Sequence, residues 1–358
     1  MMKRMLILLG LILILLAGCK ETKSGQEYYE RYESLMDSGK PIAYGEDDDV
    51  YIFAEGAVLE AVRDTLEESV GRTETLIMDI KERYFQPIFA SASDLDEFKP
   101  YKNLIYCGIL DGTDSISKHI NKTLDPQLIE TVGESGAELF MVNNLYVKDQ
   151  LVLYLLAKDI EGLQTLTGER KNQIFDFLLE RYQKRLANAA YKNPVIESKF
   201  FEDRPFTIKV PVLYRLWKDE KSGRFVSFLF QPTKPTRHKA DKYISVYYEP
   251  MSRNRVNEAW IYKTRQELGE KFIGGDQIFE DSYKTEKVQI AGQNGFLMRG
   301  HWVNPSQGGF GGAFQSWAFW HAPTKTAYLI DNIAYFPDGK KLPALLELGM
   351  LSQSIELK

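Results

Sequence analysis

Apolar residues are distributed along this chain in three ways. An unbroken run from Met5 to Leu16 opens it, a polar stretch follows, and from Val50 onward the apolar positions recur with a period. Val50–Ala54, Pro87–Ala92 and Asn103–Leu110 are short, dense blocks that predict buried strands. Ala57–Val70 places Val58, Leu59, Val62, Leu66 and Val70 on one helical face. Glu138–Asn143 and Gln150–Ala157 predict a strand pair around Asn144-Leu145. The longest helical pattern, Gly162–Asn188, carries Ile174, Phe177, Leu178, Arg181, Tyr182 and Leu186 in register, with Glu180 and Lys184 as an i,i+4 pair.

Asn193-Pro194 and Arg204-Pro205 break the pattern and predict a boundary within Tyr191–Pro205. Beyond it, Phe206–Pro211, Arg224–Gln231 and Tyr243–Glu249 predict strands, the last two separated by a Pro-rich basic loop with Lys234, Arg237, His238 and Lys239. Val256–Phe272 is an amphipathic helix closed by Gly274-Gly275. Four strands follow, Tyr283–Ala291, Gly295–Val303, Ala313–Ala322 and Thr326–Tyr335, and Leu342–Ser352 closes as a helix. Paired strands among alternating helices predict an α+β fold of mixed or antiparallel sheets with flanking helices, rather than a doubly wound sheet. The expected organisation is a signal segment 1–18, a tether 19–49, an N-terminal domain 50–193 and a C-terminal domain 194–358.

The opening run is too short to span a bilayer, which takes about 20 apolar residues. Lys3 and Arg4 precede it and Leu16-Ala17-Gly18-Cys19 ends it, the order of a cleavable export signal. The four residues resemble the bacterial lipobox. That resemblance implies cleavage before Cys19, a diacylglyceryl thioether on its sulfur and anchoring in the cell envelope. Lys20 stands where an aspartate would favour retention in the inner membrane, so the outer membrane is expected in a diderm host and the outer face of the plasma membrane otherwise. Residues 20–49 are rich in acids, Glu46-Asp-Asp-Asp49 among them, and are expected to stay solvated apart from a short helix near Glu27–Met36.

Formal net charge is −5 over 358 residues. A mildly acidic chain has no general attraction for nucleic acid, so membrane contact is expected through the lipid alone. Of the 2 cysteines, lipidation of Cys19 would leave Cys107 unpaired, in a block that reads as a core strand.

Recognisable catalytic patterns are missing. Gly133-Glu-Ser-Gly136 lacks the spacing of a serine-hydrolase elbow, and no phosphate-binding glycine loop occurs. The 4 histidines have no metal-ligand spacing, although His301 and His321 fall on neighbouring strands and are expected to be able to approach each other. No catalytic residue, metal or cofactor is therefore expected beyond the lipid on Cys19. Gly308-Gly-Phe-Gly-Gly312 reads as a flexible loop between two strands, the alternative being a backbone nest beside an anion.

Aromatic residues crowd the C-terminal strands. Trp317 and Phe319 share one parity of Ala313–His321, while Phe314 and Trp320 share the other. Either helices cover both faces, giving a two-sided core, or one face is an aromatic binding surface. Arg299, Trp302, Trp317 and Trp320 are the candidate ligand or partner residues, for an envelope glycan or a protein.

Trp260-Ile-Tyr-Lys-Thr-Arg with Phe272-Ile-Gly274, Arg299-Gly-His-Trp302, Gly311-Gly-Ala-Phe314 and Asp338-Gly-Lys-Lys341 resemble an uncharacterised family of bacterial, Bacteroidetes-type envelope lipoproteins, known as a domain of unknown function. The resemblance spans about Arg253–Leu357. It departs where the family tends to carry leucine at the place of His301 and proline at that of Ala313. It implies envelope localisation and supplies no catalytic residue. The order of elements after Phe206 also looks like the α-β-α sandwich of photosystem-P-subunit-like domains. The expected function is a non-catalytic binding or scaffold lipoprotein. The alternatives are an envelope hydrolase using carboxylates or His301 and His321, and a structural subunit of an envelope complex.

Overall fold

The computed structural model describes residues 25–36, 39–77, 80–192, 198–232 and 239–358. The expected signal segment, Cys19, the start of the tether and the basic residues 233–238 lie outside the described residues. In chain order the first half runs α1 (Gly25–Met36), β1 (Asp49–Phe53), α2 (Gly56–Val70), β2 (Thr73–Ile77), β3 (Ile80–Arg83) and β4 (Gln86–Ala90). It continues with α3 (Leu95–Phe98), β5 (Asn103–Ile109), α4 (Ser115–Thr123), α5 (Pro126–Ser135), β6 (Ala137–Asn143), β7 (Leu151–Ala157) and α6 (Ile160–Tyr191). The second half holds β8 (Phe206–Thr207), β9 (Arg215–Glu220), β10 (Phe225–Phe230), β11 (Asp241–Pro250), α7 (Glu258–Phe272) and β12 (Gln277–Ile290). It closes with β13 (Gln293–Asn304), β14 (Phe310–His321), β15 (Thr326–Tyr335), α8 (Leu342–Ser352) and β16 (Glu356–Leu357).

The first sheet has the order β4-β1-β5-β7-β6. The α+β expectation of a mixed sheet holds, since β6 runs antiparallel to β7 at the edge. The expectation that it would not be wound does not, because β4, β1, β5 and β7 are parallel. A parallel sheet needs cover on both faces, and β7 is buried at every residue. Leu151, Leu153, Leu155 and Ala157 pack toward α2 and α6, while Val152, Tyr154 and Leu156 pack toward α4 and α5. Cys107 lies in the first of these cores, fully buried, and burial pushes its thiol pKa up.

The second sheet is antiparallel, in the order β12-β13-β14-β15-β11-β10-β9. Helix α7 covers one face, and α8, backed by α6, covers the other, giving a helix–sheet–helix sandwich. The apolar core around α6 and α8 is continuous across both halves, from Val50 to Leu351. Tyr191 Oη, at the end of α6, donates to Met350 O in α8 at 3.0 Å. Glu82 of β3 caps α8: its Oε2 accepts from the backbone N–H of Lys341 at 2.6 Å and of Leu342 at 2.7 Å. A carboxylate there satisfies orphan donors and complements the positive end of the helix.

From Gly25 the solvated tether does not hold. Tyr28 and Tyr32, one turn apart on α1, are buried in the groove beside α6. Further on, Ala43 N donates to Lys148 O and Tyr44 N to Pro100 O, tying the segment to the first domain. The charge density that predicted solvation belongs to the outward face, and two tyrosines at i,i+4 are enough to seat the inner one. The predicted strand Phe206–Pro211 shortens to β8, which pairs with β16, while Ile208 and Val210 are buried without a strand assignment.

Candidate functional site

The four residues singled out in the sequence do not form one site. In the register of β13 and β14, Arg299 faces Gln315 and Trp302 faces Gly312. Side chains alternate along a strand, so Arg299 and Trp317 point toward α8, and Trp302 and Trp320 toward α7. Trp317 is buried against α8 together with Phe319. Arg299 is held by Glu286 at 2.8 Å and Glu74 at 3.7 Å, a link between the sheet edge and β2. Trp320 donates its Nε1–H to Met251 O at 2.8 Å. The two-sided core is therefore the arrangement found, and Trp302 lines a cavity.

That cavity, about 320 Å³, opens beyond the C-terminal end of α7. Its walls are aromatic: Trp217, Tyr243, Phe272, Trp302, Phe310 and Tyr335. Each ring is placed by a local device. The β9–β10 register jumps between Ser227–Lys218 and Phe228–Leu216, so Trp217 is the extra residue of a bulge. It meets Tyr243 edge-on at 6.1 Å. Tyr335, at the end of β15, lies 6.1 Å from Trp302 and 5.9 Å from Phe310. Trp302 lies across Gly312, where a Cβ would come within 2.9 Å of its Nε1. The glycine run therefore splits into two jobs. Gly308 and Gly309 turn with φ of 72° and 80°, while Gly311 and Gly312 are strand residues that admit the close approach of neighbouring groups.

The polar floor is Asp276, Asn304 and Gln307, with Asp241 on the wall. Asn304 organises it, donating through Nδ2 to Gly274 O and Asp276 Oδ1, both at 2.8 Å. Its Oδ1 accepts from Ser306 Oγ at 2.7 Å and Gln307 N at 3.1 Å. Gly274 and Gly275 take positive φ at the end of α7, and the N–H groups of Ile273 and Gly275 return to Gly269 O. Burial pushes the Asp276 carboxyl up to about 6, against the lowering effects of the Asn304 bond and of Arg265. Burial likewise raises Asp241, with the Gln231 amide pulling the other way.

Behind the floor runs a buried polar row. Ser245 donates to Ser227 at 2.8 Å, Ser316 donates to Asp331 at 2.6 Å, and Arg265 of α7 lies over the Phe314 ring at 4.4 Å. Arg265 faces both Asp331 and Asp276.

His301 and His321 do not meet. The residue opposite His301 is Ala313, eight positions along β14 from His321 and so about 27 Å away at ordinary strand rise. His301 is packed against Phe279, and burial lowers its pKa, while His321 shares a hydrogen bond with Thr324 at the far hairpin. Among the described residues no three His, Cys, Asp or Glu side chains stand together as metal ligands. Sequence reasoning missed Trp217, Asp241, Asp276 and Asn304. The available signal was the position of Asp276 and Asn304 next to turns, Gly274-Gly275 and Pro305.

These features define an α+β protein whose C-terminal half is a helix–sheet–helix sandwich carrying a ligand-sized aromatic cleft. Residues 193–354 match the family described as a domain of unknown function, DUF4837. A search of the curated proteins found no match. Among solved structures, a protein of Bacteroides thetaiotaomicron is similar at 15% identity and a TM-score of 0.26, over 43% of this chain and 45% of that one. The match thus spans less than half the length of that relative. LpqN of Mycobacterium tuberculosis, involved in cell envelope biogenesis, is similar at 11% identity and a TM-score of 0.29, over 43% of this chain and 83% of that one. Cyanobacterial PsbP from Synechocystis is similar at 9% identity and a TM-score of 0.32, over 44% and 89% of the two chains.

Proposed function

We propose that this is a binding protein of the cell envelope, anchored by lipid on Cys19, whose ligand occupies the cleft around Trp302. The observation that carries the binding half is the cleft: a concave, aromatic-walled cavity with a few fixed polar groups is the usual form of a small-molecule site. The anchoring half rests on Leu16-Ala17-Gly18-Cys19 behind a short apolar run with basic residues before it. Lys20 favours the outer membrane in a diderm host. Two acyl chains hold a protein far more firmly than one, at about 0.8 kcal/mol per buried methylene.

The test has two arms. Cys19→Ser should abolish incorporation of a fatty-acid label and move the protein out of the detergent phase. Persistence of both would end the anchoring half. For the cleft, a panel of small envelope-derived ligands titrated against the full chain should quench tryptophan fluorescence, and Trp217→Ala should weaken the response. A response that Trp217→Ala leaves unchanged would place binding elsewhere.

One observation favours a second reading, catalysis. A cleft carboxyl raised to about 6, Asp276, in the same cavity as a second raised carboxyl, Asp241, is the equipment of general acid–base chemistry. Product formation from a glycoside or ester panel, lost in Asp276→Asn, would favour it over binding.

A further inference from the structure

Taking the cleft to be the ligand site, as proposed above, we infer that it selects an organic cation: a protonated or quaternary amine on a small apolar body. Three independent features point to the same charge. Two carboxylates, Asp241 and Asp276, line the cavity, and among the described residues no lysine or arginine does. The C-terminal end of α7 forms part of the wall through Phe272, Ile273 and Gly274, and a helix C-terminus carries about half a negative charge. The remaining walls are ring faces and edges, and the negative face of an aromatic ring attracts an ammonium group. An anion would meet like charge at Asp241, at Asp276 and at the helix end, with only the neutral amides of Asn304 and Gln307 to set against it, and a neutral guest would leave that field unused.

Compensating cations lie behind the floor and on the rim. Arg265 faces Asp276 from behind, but it is shared with Asp331, so one cation answers two carboxylates. On the rim, Arg215 lies over Trp217 at 5.4 Å and Lys218 over Phe272 at 5.2 Å. The protein thus already sets its own cations on two of these rings. The cavity of about 320 Å³ is large enough for a quaternary ammonium head with a short chain.

The experiment uses the detergent-solubilised full chain in a non-ionic detergent. Choline and its uncharged carbon isostere, 3,3-dimethylbutan-1-ol, share size and shape and differ in charge. Each is titrated while tryptophan fluorescence and ligand saturation-transfer NMR are followed. Choline should bind about tenfold more tightly than the isostere, and Asp241→Asn should weaken choline about three- to tenfold while leaving the isostere unchanged. Asp241 is partly exposed and hydrogen-bonded to Gln231, so the amide replacement leaves the fold in place. Equal affinity for the two compounds overturns the charge selection while sustaining the cleft as a site. Binding of neither, with glucose or another neutral sugar binding at Trp217, also overturns it and keeps the cleft. Binding of none of the three overturns the cation inference and removes its support for the cleft.

Discussion

Arg265 Nε lies 3.5 Å from Asp331 Oδ1 beneath α7, and each side chain is 1% exposed. Among the described residues the guanidinium nitrogens find no hydrogen-bond acceptor, and the charge is answered by the Phe314 ring and by two carboxylates. A buried charge without its partner is expensive, whereas replacing both partners often is not. Arg265→Met should therefore lower stability by about 3–5 kcal/mol, read from chemical denaturation. The double variant with Asp331→Asn should recover part of that loss, the remainder reflecting Asp276. An additive double variant would show that the two charges do not interact.

Asp276 makes stability depend on pH. Its folded carboxyl titrates at about 6, above the ordinary 3.8, so the folded state holds the proton more tightly than the unfolded one. That contribution is complete below about pH 4, declines between about 4 and 6, and is gone above, a swing of up to about 3 kcal/mol. Asp276→Asn removes the decline. The variant should melt at a higher temperature than the parent at pH 7.5 and at a similar temperature at pH 4. A parallel pair of melting curves at the two pH values would assign the carboxyl an ordinary pKa.

Glu82 couples the two halves through the first turn of α8. Glu82→Gln keeps one acceptor but removes the charge facing two N–H donors and Lys341, whose Nζ is 3.7 Å away. The expected loss is about 1–3 kcal/mol. Because the apolar core around α6 and α8 is continuous, unfolding monitored by Trp317 and by a probe in the first sheet should remain a single transition. Two separated transitions in the parent protein would show that the halves fold independently.

Trp302 and Trp317 should respond differently to mutation. Both are buried, and truncation of either to alanine should destabilise by about 3–5 kcal/mol. Substitution by phenylalanine is milder and separates their roles. Trp302→Phe should alter ligand response at the cleft, while Trp317→Phe, on the opposite face against α8, should lower stability with no change in binding. Equal effects on ligand affinity would contradict the two-sided arrangement.

The regular elements were legible wherever burial imposed a period. Val58, Val62, Leu66 and Val70 announced α2, and the solid apolar block of β7 announced a strand covered on both faces. The parallel course of β1, β4, β5 and β7 was not legible, because strand direction depends on crossovers and leaves little trace in composition. β9 escaped notice because its Arg-Leu-Trp-Lys-Asp-Glu sequence is an exposed edge with a bulge, so the two-residue alternation is broken. The aromatic crowding of β13 to β15 was visible, but parity alone could not say that both faces were covered. The cleft depended on five chain segments meeting at one end of a sheet. Asp241, Asp276 and Trp217 are far apart in sequence and individually unexceptional.

The docking of α1 bears on how the proposed anchor would behave. Five residues, and so six Cα–Cα steps, separate Cys19 from Gly25, the first residue of α1. At full extension that is a leash of at most about 22 Å. With lipid on Cys19, the folded body would ride close above the headgroups instead of sweeping a wide volume, and ligands at the bilayer surface would be within its standing reach.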